Sequence, residues 1–157
     1  MYIELNDAEQ KLARYLARKR HDGARKRRVR DRRIGPQDAL QTDLEGIAAE
    51  IVVARAMNVY PDTTIAVTET QDEDLVSRDG MFIDVKSTVY KRGRLLAAPW
   101  KKVGGVDQYI LVVGTFPRYR IAGIMSADEL LQEKRLVNLG HGEGFSANQN
   151  ELGDFTP

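Results

Sequence analysis

Glu50, Asp74, Asp84 and Lys86 are the residues whose types and spacing could do chemistry. In Met81-Phe-Ile-Asp-Val-Lys86, the residues Met81, Ile83 and Val85 alternate with Phe82, Asp84 and Lys86. A strand repeats every two residues, so Asp84 and Lys86 share one face. Asp74 opens the preceding segment, Asp74-Leu75-Val76. Two carboxylates beside one ammonium can hold a hard divalent cation, or can form an ion-paired edge in water. The stretch taken alone fits both. Glu50 is a third carboxylate on an apolar helix, flanked one turn away by Gly46, Ile47, Val53 and Ala54. An acid there is costly unless it is paired or metal-bound. An arginine at the edge of the stripe would satisfy it equally well.

The element that positions three of these residues is a hairpin over Asp74–Lys86. Asp79-Gly80 is its turn, because both residue types tolerate the positive φ of a primed turn. Its second strand is expected to continue through Ser87-Thr88-Val89-Tyr90. Glu50 needs a helix. Thr42 can cap it, with Glu45 three residues on completing a capping box. Leu44, Ile47, Ala48, Ile51 and Val52 form its stripe, widened by Val53, Ala54 and Met57. Asn58 and Pro61 end it.

Around this pair the pattern is simpler. Asn6 and Glu9 predict a helix start, with Leu12, Tyr15 and Leu16 as its apolar stripe. That helix runs toward a basic segment, with Gly23 as a weak point and Ile34-Gly35-Pro36 as a break. Thr63–Thr68 is β-branched and predicts a first strand. Residues 91–107 place Lys91, Arg92, Arg94, Lys101 and Lys102 around Leu95, Leu96 and Trp100. Pro99 and Gly104-Gly105 argue against a long helix there. Basic residues around an aromatic suit a nucleic-acid groove, and also a loop or edge strand with its charges in water. Gln108–Phe116 is a continuous apolar run and predicts a buried strand. Arg120–Met125 is the next strand, after a turn at Pro117-Arg118-Tyr119. Ser126 and Glu129 cap a short helix reaching roughly Lys134, and the tail from Asn138 is expected to wrap the surface. The expected fold class is α/β, a sandwich around one mixed sheet. One domain spans 1–157: an N-terminal helix and basic arm (1–41), a core (42–135) and the tail (136–157).

Composition narrows the chemistry. The 157 residues are 42% hydrophobic and 30% charged, ordinary for a globular domain with one core. Cysteine is absent, which excludes disulfides and thiolate-bound zinc. With only His21 and His141, the expected metal is a hard cation held by oxygen, Mg²⁺ or Mn²⁺. No apolar run is long enough for a bilayer, and the opening Met-Tyr-Ile-Glu carries a charge at once; we expect a cytoplasmic protein without a signal peptide. The net charge of +1 conceals a polarity. Residues 1–33 carry 12 Lys and Arg against 5 Asp and Glu, and the remainder carries 12 against 18. Ten of the sixteen residues Arg18–Arg33 are basic. Such a segment is either a phosphate-binding arm or a solvated face.

Taken in order, Glu50 on a small-residue helix (Gly46-Ile-Ala-Ala-Glu50), Asp74-Leu75 opening a strand, and Ile83-Asp84-Val85-Lys86 resemble the PD-(D/E)XK nuclease superfamily. The later strand pair followed by Ser126-Ala-Asp-Glu129 is similar to small phage and prokaryotic members. The resemblance covers roughly residues 42–135. Glu73 stands where the family's proline would precede Asp74, with Asp72, Glu73 and Asp79 as rival acids. The resemblance implies a restriction-endonuclease-like central mixed β-sheet flanked by helices, with a core helix before the fourth strand. It also implies metal-dependent hydrolysis of DNA phosphodiester bonds, by an endonuclease. Asp74 and Asp84 would hold Mg²⁺ or Mn²⁺, with the Val85 carbonyl as a further ligand and Glu50 completing the site. Lys86 would orient the attacking water or stabilise the transition state by its charge. Arg25, Lys26, Arg27, Arg28, Arg30, Arg32, Arg33, Lys101 and Lys102 would bring in the DNA backbone. A homodimer is compatible, a membrane partner is not expected, and a phage member would act in the host cytoplasm. The alternatives are a non-catalytic nucleic-acid-binding protein on the same fold, a Holliday-junction-resolvase-like nuclease, and a phage accessory protein working through protein contacts.

Overall fold

The apolar run predicted as a buried strand lies at the centre of the molecule. The computed structural model describes residues 1–27, 38–65, 73–140 and 142–157. Its elements are β1 (Ile3–Glu4), α1 (Asp7–Arg27), α2 (Ala39–Met57), β2 (Leu75–Val76), β3 (Phe82–Thr88), β4 (Leu95–Ala97), β5 (Gln108–Thr115), β6 (Arg118–Ser126), α3 (Ala127–Leu130), β7 (Leu136–Asn138) and β8 (Glu143–Ala147). Five strands form a mixed sheet in the order β1-β6-β5-β3-β2, with β3 and β5 parallel and every other pair antiparallel. β5 is its middle strand and is apolar on both faces, because both faces are covered. Ile110 and Val112 pack with the buried residues of α1 and α2. Tyr109, Leu111 and Val113 pack with Leu95, Ala97, Phe145 and Ala147 on the other side.

That second cover is a three-stranded antiparallel sheet, β4-β8-β7. It corrects two expectations. There is not one sheet but two, and the tail from Asn138 does not simply wrap the surface: its β8 buries Phe145 and Ala147. Residues 91–107 contain β4 and turns rather than the core helix that the resemblance implies. Pro99 and the positive φ of Gly104 (96°) are incompatible with a helix there. The β3-to-β5 crossover is therefore built without a helix, and β4 is an edge strand of the smaller sheet.

The helices show where local signals held. Asn6 and Glu9 form the capping box, with Glu9 Oε2 accepting from Asn6 N at 2.7 Å and Asn6 Oδ1 accepting from Glu9 N at 2.9 Å. α1 continues through Gly23 to Arg27. Its buried stripe is Ala13, Leu16 and Ala17 with Leu12 beside them, while Tyr15 points outward and is 53% exposed. The start of α2 differs from expectation. Asp38, not Thr42, is the cap: its carboxylate accepts from Leu40 N and Gln41 N, and the Thr42 hydroxyl donates back to Asp38 O. Glu45 is consequently in the body of the helix and faces the core. Asn58 ends α2 in the left-handed conformation (φ 52°).

The hairpin forms with Leu75 opposite Ile83 and Val76 opposite Phe82. Its turn is longer than the predicted two-residue one. Gly80 N donates to Ser77 O, Ser77 N donates to Met81 O, and only Gly80 (φ 82°) takes positive φ. Asp79 does not, which is a three-residue loop with glycine at the left-handed position. β3 ends at Thr88, short of Tyr90. Residues 63–65 are not strand, and the rest of the predicted Thr63–Thr68 strand lies outside the described residues. β6 begins at Arg118, so the β5–β6 turn is Phe116-Pro117, with a cis peptide bond. The Ser126–Glu129 capping box is present, but α3 stops at Leu130 and a separate 3-10 turn covers Glu133–Arg135. Among the described residues no helix is long and apolar enough to cross a membrane.

Candidate active site

Asp84 is the most buried charged group described, 2% exposed, in the middle of the sheet beside Tyr109 of β5. Its β3 neighbours Ile83 and Val85 face the helices, so alternation sends Asp84 and Lys86 to the other face. Lys86 Nζ lies 2.5 Å from Asp84 Oδ1, and Lys101 Nζ lies 3.3 Å from Asp84 Oδ2. Each Asp84 oxygen thus meets an ammonium group. Burial by itself would depress the Lys86 pKa. The charges of Asp84, Asp74 and Glu50 outweigh it and hold Lys86 above the ordinary lysine value. Lys86 is thus an ammonium at neutral pH.

Asp74 sits one residue before β2. Its backbone N donates to Ile83 O, and its Oδ2 accepts from Val85 N at 2.7 Å. This second bond crosses the hairpin and ties the Asp74 carboxyl to the peptide between Asp84 and Val85. Burial, and then the charge of Asp84, push its pKa up to about 6, against the opposing pull of Lys86, the Val85 N–H and Lys101.

Glu50 comes from the helix side and is the third acid of the group. Burial, and then the charge of Asp74, push its pKa up to about 8. Its partner is Arg20, with Nη1 at 3.3 Å from Glu50 Oε2. Arg20 also donates through Nε to Thr64 O and through Nη2 to Asp62 O. Of the sequence readings of Glu50, the arginine partner is the one seen here, and the charge of Asp74 acts on it as well.

Glu50, Asp74, Asp84 and Lys86 thus form one electrostatic group drawn from α2, the start of β2, and β3. The Val85 backbone belongs to it through its N–H. Of the residues expected to meet DNA, Lys101 points inward onto Asp84 and is only 12% exposed, whereas Lys102 is exposed and outside the group. Arg28, Arg30, Arg32 and Arg33 lie outside the described residues, as do the side chains of Arg25, Lys26 and Arg27. Arg20 and Lys101 are members that sequence reasoning missed. Arg20 was hidden inside a run of like charges, and Lys101 lies in a segment without periodicity.

Among the described residues no three His, Cys, Asp or Glu side chains stand close enough to cage a metal ion by themselves. Mg²⁺ does not need such a cage, since it keeps several waters and takes one or two carboxylates plus substrate phosphates. The all-oxygen donor set and the mutual repulsion of Asp74 and Asp84 fit a hard cation. Such a cation would have to displace at least one of the two lysines from Asp84. No protein-family model matches the chain, and no curated protein matches it.

Proposed function

We propose that the protein is a metal-dependent nuclease that hydrolyses DNA phosphodiester bonds, on a restriction-endonuclease-like arrangement of sheet and helices. One observation carries the reading. Three carboxylates and a lysine from three elements are crowded into one buried group, in which burial first and then a neighbouring acid push the Glu50 and Asp74 pKa values up. Burying mutually repelling acids costs stability, and such perturbed groups concentrate at functional sites. When bound, Mg²⁺ or Mn²⁺ supplies charge against the phosphate oxygens and acidifies water for attack.

The chain's own residues do the rest. Asp74 and Asp84 would hold the metal, with Asp74 kept in place by the Val85 N–H. Lys86, a permanent ammonium here, gives its charge to the phosphate as negative charge builds on it. It acts as an electrostatic partner rather than as a base. Glu50, held by Arg20, sets the far wall of the site and orients water toward the phosphorus. Lys101, now on Asp84, would supply a further positive charge beside the phosphate backbone.

Plasmid DNA incubated with the protein and Mg²⁺ or Mn²⁺ tests this. Nicking or linearisation is expected. No cleavage under either metal, with DNA binding retained, would overturn the reading. Lys86→Ala should lower cleavage by roughly 10²–10³-fold and leave binding intact. The double clamp of Lys86 and Lys101 on Asp84 favours a second reading, a non-catalytic nucleic-acid-binding protein in which Asp84 only anchors two lysines. In that case Asp84→Asn changes DNA binding and there is no cleavage to lose.

A further inference from the structure

A second cationic feature lies farther along the same face of the main sheet. Beyond the C-terminal ends of β3 and β5 a cavity of about 420 Å³ opens between Tyr2, Val89, Lys91, Thr115, Arg118 and Arg120. Three of its lining residues are cations and none is an acid. This is a local concentration of positive charge within the part of the chain that is acidic overall.

The register fixes which face it occupies. Arg120 pairs with Val113 and Arg118 with Thr115, while Lys86 pairs with Leu111 and Asp84 with Tyr109. Val113, Leu111 and Tyr109 all belong to the core under the smaller sheet. Arg118 and Arg120 therefore project from the same face as Asp84 and Lys86. Along β5, Leu111 opposite Lys86 is two to four residues from Val113 and Thr115 opposite Arg120 and Arg118, about 10 Å, and β6 lies two strands from β3, about 10 Å. The two sites are thus separated by about 14 Å, close to four base-pair steps of about 3.4 Å.

The cavity is also organised. Arg120 Nη2 donates to Gln149 Oε1 at 2.6 Å, and Gln149 Nε2 donates to Lys91 O at 3.1 Å and Gly93 O at 2.8 Å. The Arg118 guanidinium rests over the Tyr2 ring, 4.8 Å from its centroid. Among the described residues none of the three cations is paired with a carboxylate, and Glu4, opposite Arg118 in the register, does not line the cavity. Fixed guanidinium planes and a lysine without acids match a phosphodiester, which Arg binds through a planar fork.

We propose that this cavity is a phosphate-backbone site, which grips a nucleic-acid strand a few nucleotides from Asp84 and Lys86. The backbone site stands on its own geometry; its placement relative to a scissile bond rests on the nuclease reading. Binding of a labelled DNA duplex, followed by fluorescence anisotropy in EDTA across a salt series, tests it. Arg118→Gln should weaken binding and reduce the slope of log K against log salt by about 1, and the double variant Lys91→Gln/Arg118→Gln by about 2. Lys134→Gln, an exposed charge outside the cavity, should leave the slope unchanged. Thermal melting of each variant confirms that it is folded. Unchanged binding in folded Arg118→Gln and double variants would overturn the proposal, as would an equal loss in Lys134→Gln, which would mark the attraction as diffuse charge. If the wild type binds DNA through these residues but never cleaves it with either metal, the backbone site stands and the nuclease reading falls.

Discussion

Helix α2 carries two inward-facing glutamates, five residues apart, and they live in opposite electrostatic worlds. Glu45 is 7% exposed and richly partnered. Its carboxyl accepts from the Tyr119 hydroxyl at 2.5 Å, from Phe116 N at 3.1 Å and from Gln41 Nε2 at 2.8 Å. Burial, and then the Glu45 bond and charge, raise the Tyr119 pKa, so the phenol stays a donor. All of these donors are neutral, and together they lock α2 to the β5–β6 turn. Glu50 has one cationic partner, and the charge of Asp74 acts against it. A buried acid surrounded by donors is part of the framework. A buried acid that also faces another acid's charge is held there against its own stability, and a cation relieves that tension.

Glu50→Gln is the sharpest way to break the contrast. If Glu50 serves chemistry, cleavage should fall by roughly 10²–10³-fold in the plasmid assay. The same change removes a repelling charge, so the urea midpoint should stay level or rise. The pH dependence separates the two acids further. The pKa values of Glu50 and Asp74 are raised in the folded state, so the folded protein binds protons more tightly than the unfolded chain. Their contribution is fully present at acidic pH and is lost as pH rises through about 6 for Asp74 and about 8 for Glu50. Stability should therefore decline from about pH 5 to about pH 8, and less steeply in Glu50→Gln. Adding Mg²⁺ should stabilise the protein more at the alkaline end, where both acids are ionised. A midpoint that rises with pH would contradict the raised pKa values of the two buried acids.

Glu45→Ala should do the reverse, with a smaller effect. It strands the buried Tyr119 hydroxyl and the Phe116 N–H, at about 1–3 kcal/mol for each unsatisfied group, or roughly 2–6 kcal/mol in all. Chemical denaturation reads the loss directly. Cleavage per folded molecule should be close to wild type.

Why Glu50 was legible in the sequence and Glu45 was not follows from the same contrast. Glu50 stood out because its neighbours one turn away are small or apolar, and the two-residue period of β3 placed Asp84 and Lys86 together without any tertiary information. The capping boxes at Asn6 and Ser126 were readable for a similar reason, since each closes within four residues. Glu45 was misread as a capping residue because Thr42 and Glu45 have the right spacing for a box. The true cap, Asp38, lies four residues earlier, and Glu45 meets its donors more than seventy residues away. Lys101 and the pairing of β4 with β8 were hidden for that same cause. Short strands and inward-turning loop lysines are decided by what arrives from distant chain, and neither carries a period.

Tyr119→Phe is the smallest test and the most selective. It removes one hydroxyl from a fully buried ring and leaves the Glu45 carboxyl with Phe116 N and Gln41 Nε2. The ring keeps its packing against α1 and α2, so only the hydrogen bond is lost, at about 1–2 kcal/mol. This should be about half the cost of Glu45→Ala, because Glu45 satisfies two buried donors across the core and Tyr119 supplies only one. In the double variant the Tyr119 hydroxyl is no longer there to be stranded, so the two losses should add to less than their sum. If Tyr119→Phe costs as much as Glu45→Ala, the Phe116 N–H contributes nothing and the hydroxyl alone ties α2 to β6. If the two losses simply add, Glu45 and Tyr119 do not stabilise each other, and Glu45 would be no more a framework acid than Glu50.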